Sequence, residues 1–503
     1  MGQDRPRALT TKRMHSKIRS LASDTIVYGV STVLGRFLTF LLTPLYTNFL
    51  TAGEIGDVAA VYAMIAFVGI LYSLGLEPAF MRFWSRDDDV SNKEVFTASL
   101  LGVSALSVLL TIVVLVLAPW IAQSSVLQLG GEGATIVRLA ALIPLFDALV
   151  LIPFARLRME RKARKFAVYR LAAIIVNVAL NGLFVVMMDL HVEGVVIAGA
   201  LSSAFALVLF IPDILQRTTL RSRLRTSRSR LKELIGFGLP TVPASFSSIM
   251  VQVIDRPLLL MLTGSAVVGM YQTNFRLAIP MMMFITVFEY AWKPFYLTHH
   301  EDDDAKTVFA RVLTLFTVAC GAIFLVTSLF MPYLVQLPFI GGRFINPTYW
   351  SGMGIIPVVM FAYFFNGVFI NVAAGLHITK RTGWLPIATG AAAVINVVAT
   401  LLLVPHFDFH GAAWAKVAAY VGGTIVLVVY VQRVYPMRYD LVRIAATMAV
   451  TAAIYFAAVQ LEPQSPWQKW FVIAALPLYI AILMLLRVIG TSTLRTLMSL
   501  IRR

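Results

Sequence analysis

Long apolar runs separated by short polar segments extend along the chain from about residue 23 to about residue 489. The hydrocarbon core of a bilayer is about 30 Å thick, so a helix that crosses it needs roughly 20 apolar residues. No polar stretch between the runs is long enough to fold as a separate water-soluble domain. The sequence therefore predicts an all-α integral membrane protein with about fourteen transmembrane helices. The predicted spans are residues 23–49, 57–82, 94–119, 134–156, 166–188, 194–215, 234–262, 267–291, 307–331, 349–376, 384–404, 411–432, 441–461 and 467–489.

The basic residues orient these spans. The formal net charge is +17, and Lys and Arg collect in cytoplasmic loops of membrane proteins. With fourteen spans, the basic segments 1–22, 156–165, 216–233 and 433–438 all lie on one side of the membrane. We therefore predict a multi-pass protein with both termini in the cytoplasm, and we do not predict nucleic-acid binding. An anionic-lipid or partner site is the alternative interpretation of residues 216–233.

The basic N-terminus resembles the start of a signal peptide. The apolar segment that follows it, from about residue 25 to residue 50, is too long for a signal peptide and has no small-residue cleavage site after it. We therefore expect this segment to be retained as the first span.

An internal repeat divides the spans. The segment "MERKARKFAVYRLAAIIVNVALN" (159–181) aligns without gaps on "ITKRTGWLPIATGAAAVINVVAT" (378–400), and "AGEIGDVAAVY" (52–62) corresponds to "GSAVVGMYQTNF" (264–275). Spans 1–6 thus correspond to spans 7–12 in the same orientation, which predicts a substrate path between two parallel repeats. The predicted division is a cytoplasmic basic N-terminus (1–22), an N-lobe (23–215), a cytoplasmic basic linker (216–233), a C-lobe (234–432), and spans 13–14 with a cytoplasmic tail (433–503).

Motifs of enzymes are missing from the sequence. It contains no P-loop, no HExxH and no G-x-S-x-G nucleophile elbow. The only cysteine, Cys320, lies in an apolar run, which favours a small core residue. The acidic runs at 86–89 and 301–304 lie in short loops and are typical of a solvated surface. We predict a transporter without catalytic residues, a metal site or a cofactor.

Ionisable residues inside the spans are the informative ones. A charge at the centre of a bilayer costs at least ~2.5–3.5 kcal/mol, so such residues usually face a cavity or a partner. Arg36 and Arg276 lie closest to the midplane, and we expect both to line one cavity. Arg138 and Lys416 lie near the outer ends of their spans, where a long side chain either reaches the interface or binds substrate. The candidates for substrate binding are Arg36, Arg276, Arg256, Asp255, Arg138 and Lys416, and those for ion coupling are Glu77 and Asp147.

Two acidic residues lie beside prolines that can bend a helix. Glu77 precedes Pro78, and proline removes a backbone donor and can kink a span. Asp147 lies near the middle of span 4. Each carboxylate is predicted either to couple a proton or sodium ion to gating or to pair with an arginine.

The cationic midplane predicts an anionic passenger, because arginine binds phosphate through two parallel hydrogen bonds. A pyrophosphate-linked lipid and an acidic sugar both meet this requirement.

Several segments resemble bacterial polysaccharide flippases. "IDRPLLLMLTGSAVVGMYQTNFRLA" (254–278) is similar to their signature for spans 7 and 8, in which an Asp-Arg pair precedes a Gly-x-Tyr and a later Arg. "EYAWKPFYL" (289–297) and "SLGLEPAFMRFW" (73–84) resemble two further segments of the family. The resemblance extends over nearly the whole chain and is firmest for residues 20–435.

This resemblance implies a member of the multidrug/oligosaccharidyl-lipid/polysaccharide exporter superfamily. Its flippases move undecaprenyl-pyrophosphate-linked oligosaccharides, such as O-antigen or exopolysaccharide repeat units, to the outer leaflet of the bacterial cytoplasmic membrane. Two six-helix lobes in a V shape would provide alternating access. Arg36 and Arg276 match the cationic cavity residues, while Asp255 and Arg256 match the signature pair. Membrane lipids and polysaccharide polymerase or export machinery are the implied partners.

A multidrug-type antiporter of the same superfamily is the alternative function. Such a protein would need acidic cavity residues for cationic drugs and would usually end after twelve spans. The basic residues near the midplane and the two additional spans favour the flippase.

Overall fold

A computed structural model describes residues 29–85, 88–217, 224–461 and 465–488. These residues are helical almost throughout. The exception is a two-stranded antiparallel hairpin that joins spans 9 and 10, in which Pro338–Phe339 pairs with Gly342–Arg343. The predicted basic N-terminus, the centre of the basic linker and the C-terminal tail lie outside the described residues.

The described residues provide fourteen candidate membrane spans. Twelve helices are long and apolar enough to cross a bilayer, and one bent pair of helices adds another span. The 51-residue helix Trp384–Val434 counts as two spans, because Asp408 interrupts it with a φ of 48° and a ψ of −136°. The predicted all-α membrane fold is therefore confirmed. The order is span 1, Gly29–Phe49; span 2, Ala52–Ser73 and Leu76–Phe83; span 3, Asp89–Ala122; span 4, Gly133–Ala140 and Leu142–Met159; span 5, Ala163–Asn181 and Gly182–Met187; span 6, His191–Arg217; span 7, Leu224–Gly238, Leu239–Thr241, Val242–Val253 and Asp255–Thr263; span 8, Ser265–Leu277 and Ile279–His299; span 9, Ala305–Leu334; span 10, Pro347–Gly354 and Ile355–Ile378; spans 11 and 12, Trp384–Val434; span 13, Leu441–Gln460; and span 14, Pro466–Leu485.

Span 2 breaks at Leu74 and Gly75, not at Pro78. Both residues have positive φ angles, 42° and 69°, which L side chains rarely adopt and glycine adopts easily. Gly75 also touches span 7, because a Cβ there would lie 2.2 Å from the carbonyl oxygen of Gly238. Pro78 lies in the first turn of Leu76–Phe83, where its missing N–H has no partner to lose. The kink expected beside Glu77 therefore has a different cause and lies a few residues earlier.

The chain divides into two compact units, Met1–Gln272 and Thr273–Arg503. The division falls inside span 8. In the second unit, spans 9, 13 and 14 share an apolar core around Leu325, Ile454 and Tyr479. The Tyr479 hydroxyl donates a hydrogen bond to the carbonyl of Val318 at 3.0 Å, which fastens span 14 to span 9.

Two glycines bring spans 2 and 8 into backbone contact within the first unit. A Cβ on Gly56 would lie 1.9 Å from the carbonyl oxygen of Ser265, and a Cβ on Gly269 would lie 1.9 Å from that of Ala52. The contact is reciprocal. The glycine of each span packs against the carbonyl oxygen of the residue that lies four positions before the glycine of the other span. The Ser265 hydroxyl also donates to Asp57 Oδ1 at 2.6 Å. We call Gly56, Gly269, Ala52, Ser265 and Asp57 the glycine clasp.

Candidate functional site

Arg36 lies on span 1 where this span packs against span 5. The preceding Gly35 makes the approach close, because a Cβ there would lie 2.8 Å from Cδ1 of Ile174. Arg36 itself is half-buried. It lies thirteen residues before the end of the helix at Phe49, a depth of about 20 Å at a rise of 1.5 Å per residue. The first unit therefore carries a guanidinium group deep within the membrane.

Asp147 on span 4 is exposed, although protein surrounds its carboxylate. Ser203 of span 6 and Arg170 of span 5 lie close enough to this carboxylate to act on its charge. Arg170 is also exposed, and its guanidinium lies 5.9 Å from the centre of the Phe166 ring. Arg170 was not among the predicted site residues, although it lies within the predicted span 5.

Glu77 is paired with Arg158. The Arg158 guanidinium contacts Glu77 Oε1, and both side chains are partly exposed. Of the two alternatives that the sequence left open for Glu77, the structure therefore supplies the arginine partner. The ion-coupling role of Glu77 stays a prediction.

A second ion-pair network joins the C-terminal ends of spans 4 and 6 to the N-terminal end of span 5. The Asp213 carboxylate accepts hydrogen bonds from Arg156 at 2.9 Å and from Lys165 at 2.6 Å. Arg156 is buried with 2% exposure and also pairs with Glu160 at 3.2 Å. Arg156 therefore belongs to the packed interior of the first unit, although the sequence analysis placed it at the start of a loop.

Asp255 and Arg256 form a buried network between spans 7 and 8. Their side chains lie 3.2 Å apart, and each also binds a residue of span 8. The Tyr271 hydroxyl donates to Asp255 at 2.5 Å, and Arg256 Nε donates to Gln272 at 2.9 Å. Asp255 has 0% exposure and Arg256 has 8%. This geometry favours a structural role, and substrate contact by either residue stays a prediction.

Replacing Arg256 by methionine should lower the stability of the protein markedly. Removal of one partner of a buried ion pair leaves an uncompensated charge and costs about 3–5 kcal/mol. The double variant Asp255→Asn with Arg256→Met should recover part of this loss, because no buried charge remains. Thermal unfolding in detergent measures both variants, with Arg138→Gln as a control at an exposed arginine. Equal melting temperatures for the Arg256→Met variant and the wild type would contradict the network.

Arg276 lies directly before the bend of span 8. The helices Ser265–Leu277 and Ile279–His299 meet at 51°, and Ala278 between them leaves helical geometry with a ψ of 4°. Arg276 is half-buried and lies eleven residues after the start of its helix, a depth of about 16 Å. A cation at the C-terminal end of a helix interacts favourably with the terminal carbonyl groups. The bend thus places a guanidinium group near the middle of the bilayer.

The two remaining basic candidates differ in burial. Lys416 of span 12 has 1% exposure, and its ammonium group lies 5.4 Å from the centre of the Phe275 ring. The structure thus excludes the alternative in which Lys416 reaches the membrane interface. Arg138 of span 4 is exposed, as expected for a side chain that reaches the interface.

Lys416 replaces a glycine of the other repeat. The segment "EGVVIAGA" (193–200) resembles "HGAAWAKV" (410–417), which aligns Lys416 with Gly199, and the correspondence of 52–62 with 264–275 aligns Phe275 with Tyr62. In the first unit, a Cβ on Gly199 would lie 2.7 Å from the Tyr62 hydroxyl. In the second unit, a lysine ammonium group lies against the phenylalanine ring. The same pair of positions therefore holds glycine and tyrosine in one repeat, with a neutral hydroxyl, and lysine and phenylalanine in the other, with a cation.

The second unit also contains an apolar cavity of about 360 Å³. Spans 9, 10 and 13 enclose it together with Met281 of span 8. Its lining includes Cys320, Phe324, Phe361 and Met448. Cys320 has 2% exposure, which confirms its assignment as a buried core residue. This cavity suits a hydrocarbon group and offers almost nothing to a charged one.

Comparison with known proteins identifies the family. Residues 46–344 match the family described as "Polysaccharide biosynthesis protein", which is more than half of the chain. The chain belongs to this family. A comparison with curated proteins gives no match.

Solved structures show the same fold. The chain is similar to the lipid II flippase MurJ in an inward closed conformation, with a TM-score of 0.71, 13% identity, and coverage of 91% of this chain and 98% of that one. It is similar to an inward-facing multidrug resistance MATE family transporter of the MOP superfamily, with a TM-score of 0.63, 17% identity, and coverage of 84% and 98%. A third similar structure is a MOP superfamily transporter from Pyrococcus furiosus, with a TM-score of 0.56, 15% identity, and coverage of 84% and 96%. The resemblance to flippases read from the sequence is thereby confirmed at the level of family and fold.

Proposed function

We propose that this polysaccharide biosynthesis protein is a flippase for an anionic lipid-linked oligosaccharide. The passenger is an undecaprenyl-pyrophosphate-linked repeat unit of O-antigen or exopolysaccharide, moved from the inner to the outer leaflet of the bacterial cytoplasmic membrane. Transport proceeds by alternating access of two six-span halves, residues 23–215 and 234–432, with both termini in the cytoplasm.

The position of Arg276 at the bend of span 8 carries this proposal. Interrupted membrane helices occur at the substrate sites of transporters, near the middle of the bilayer. A guanidinium group binds phosphate through two parallel hydrogen bonds. Arg36 adds a second deep guanidinium in the other repeat. A pyrophosphate passenger would give both arginines an anionic ligand.

The apolar cavity of the second unit supports the lipid part of the passenger. A polyprenyl chain needs hydrocarbon surroundings, and the cavity exposes almost only apolar surface. The family match and the fold shared with a lipid II flippase support the same substrate class.

A multidrug-type antiporter is the second candidate, because the fold also resembles MATE transporters. Cationic drugs would require unneutralised carboxylates along the pathway. Arginine partners already bind Glu77 and Asp255, which leaves Asp147 as the carboxylate candidate for this function. The balance of embedded charge thus favours an anionic passenger.

Deletion of the gene separates the two candidates. A flippase mutant should lose surface polysaccharide, accumulate lipid-linked oligosaccharide in the inner leaflet and retain its resistance to cationic drugs. Intact surface glycans together with raised drug sensitivity would instead establish the antiporter.

We further propose that a proton or sodium gradient drives the transport, with Asp147 and Glu77 as the ion-binding carboxylates. Vesicles that contain the purified protein should flip the lipid-linked oligosaccharide faster under one imposed gradient. Equal rates with and without both gradients would exclude the coupling.

A further inference from the structure

Arg170 points into the first unit and not towards lipid. At 100° per residue, seven positions of span 5 lie on one stripe, and several of their side chains contact other spans. Ile174 packs against Gly35, Asn177 donates to Ser202 at 3.1 Å, and Asn181 accepts from Tyr46 at 2.7 Å. The opposite face carries exposed apolar side chains at 168 and 175. Arg170 is thus an exposed residue on the inward stripe of span 5. The stripe consists of Ala163, Phe166, Ala167, Arg170, Ile174, Asn177 and Asn181.

Asp147 faces the same interior from span 4. One turn before it, Ile143 packs against Gly199 of span 6. Two turns after it, Phe154 packs against Phe166 of span 5 and Phe210 of span 6, with ring centres 5.2 Å and 4.7 Å apart. The side of span 4 that carries Asp147 is therefore turned towards spans 5 and 6. The exposed side chain of Asp147, like that of Arg170, therefore lies on the inward side of its span.

The two charged groups interact across a gap. Arg170 acts on the Asp147 carboxylate through its charge, yet among the described residues no carboxylate lies within 4 Å of Arg170. Ser203 adds a hydroxyl on the Asp147 side. The gap is thus bordered by an acceptor and a donor on exposed residues and by a half-buried hydroxyl. We call Asp147, Arg170 and Ser203 the polar triad.

The polar triad suits an alcohol group better than a phosphate. A sugar hydroxyl donates one hydrogen bond and accepts others, so it can donate to the carboxylate and accept from the guanidinium at once. Hydrogen bonds to charged groups are the stronger ones. A phosphate would gain from Arg170 but would be repelled by Asp147.

Tyr62 extends this polar surface by one helical turn. Its hydroxyl lies against Gly199, which precedes Ser203 by four residues, and the side chain has 36% exposure. An aromatic ring beside hydroxyl-binding groups offers an apolar surface for the C–H face of a sugar. From this arrangement we infer that the polar triad and Tyr62 form a sugar-binding subsite, distinct from the guanidinium groups of Arg36 and Arg276. The inference rests on the proposed flippase function, and with Asp147 bound to sugar, Glu77 is the ion-coupling candidate that remains of the two.

The test compares two probes on purified protein in lipid nanodiscs. One probe is bare undecaprenyl pyrophosphate, and the other is the lipid-linked oligosaccharide that accumulates in cells lacking the chain. The wild type should bind the oligosaccharide more tightly. Asp147→Asn and Arg170→Gln should each weaken oligosaccharide binding by about tenfold and leave the affinity for the bare lipid unchanged.

Two further variants make the result specific. Arg36→Gln should weaken the binding of both probes by the same factor, because it acts on the shared pyrophosphate. Arg164→Gln removes an exposed arginine from the first turn of the same helix as Arg170, and it should change neither affinity. Tyr62→Leu should reduce oligosaccharide binding alone.

Several results would overturn the subsite. Equal losses for both probes in Asp147→Asn and Arg170→Gln would assign these residues to the pyrophosphate or to folding. Wild-type affinities in both variants would show that no sugar touches them. Wild-type affinities with a lost response to a proton or sodium gradient would return Asp147 to ion coupling. Failure of both probes to bind the wild type would instead refute the proposed function itself.

Discussion

Replacement of Arg276 or Arg36 by alanine should reduce transport of the lipid-linked oligosaccharide by about tenfold to hundredfold. Each guanidinium is expected to form charge-assisted hydrogen bonds with the passenger's pyrophosphate, and one such bond contributes about 1.5–3 kcal/mol. The loss should be larger for Arg276, because the bend of span 8 fixes it near the middle of the bilayer. Surface polysaccharide in a deletion strain, normalised to the amount of protein in the membrane, measures the effect.

Charge-preserving variants separate binding from folding. Arg276→Lys keeps the cation but loses the two parallel hydrogen bonds that guanidinium makes with phosphate, so its transport should lie between that of the wild type and that of Arg276→Ala. Arg164→Ala removes an exposed arginine from the first turn of span 5, and this variant should transport normally. Normal surface polysaccharide from both Arg36→Ala and Arg276→Ala, at normal protein levels, would remove the two arginines from the site.

The membrane fold could be predicted from the sequence because each span depends on one continuous stretch of residues. Each span needs its own run of apolar residues, so fourteen runs correspond to fourteen segments in the structure. The depth of Arg36 and Arg276 follows from counting residues at a fixed rise. The repeat also predicts that Gly56 corresponds to Gly269, and the structure places both in the same reciprocal contact.

The contacts between spans could not be predicted from the sequence. The break of span 2 was expected at Pro78, yet it lies at Gly75, where a close approach to Gly238 requires a missing side chain. The burial of Lys416 follows from the packing of span 12 and not from its distance to the helix end. Arg170 was missed although its signal was present, since residues 163–181 place it on the same stripe as two asparagines. A search for charges on the polar face of each span would have found it.

Gly56→Ala should destabilise the protein, against the usual effect of this substitution. Alanine in a helix is normally more stable than glycine by about 1 kcal/mol. At Gly56, however, the new methyl group would lie 1.9 Å from the backbone oxygen of Ser265, and a backbone oxygen can move only if a helix moves. Overpacking of this kind costs about 1–3 kcal/mol. Thermal unfolding in detergent should therefore show a lower melting temperature for Gly56→Ala, and equally for Gly269→Ala.

Gly69 provides the matched control for the glycine clasp. It lies on the same helix of span 2 as Gly56, and a Cβ there would meet no atom within 4 Å. Gly69→Ala should therefore keep or raise the melting temperature, so that one substitution has opposite effects at two positions of one helix. Equal stability of Gly56→Ala and Gly69→Ala would mean that spans 2 and 8 do not meet in the protein's resting state.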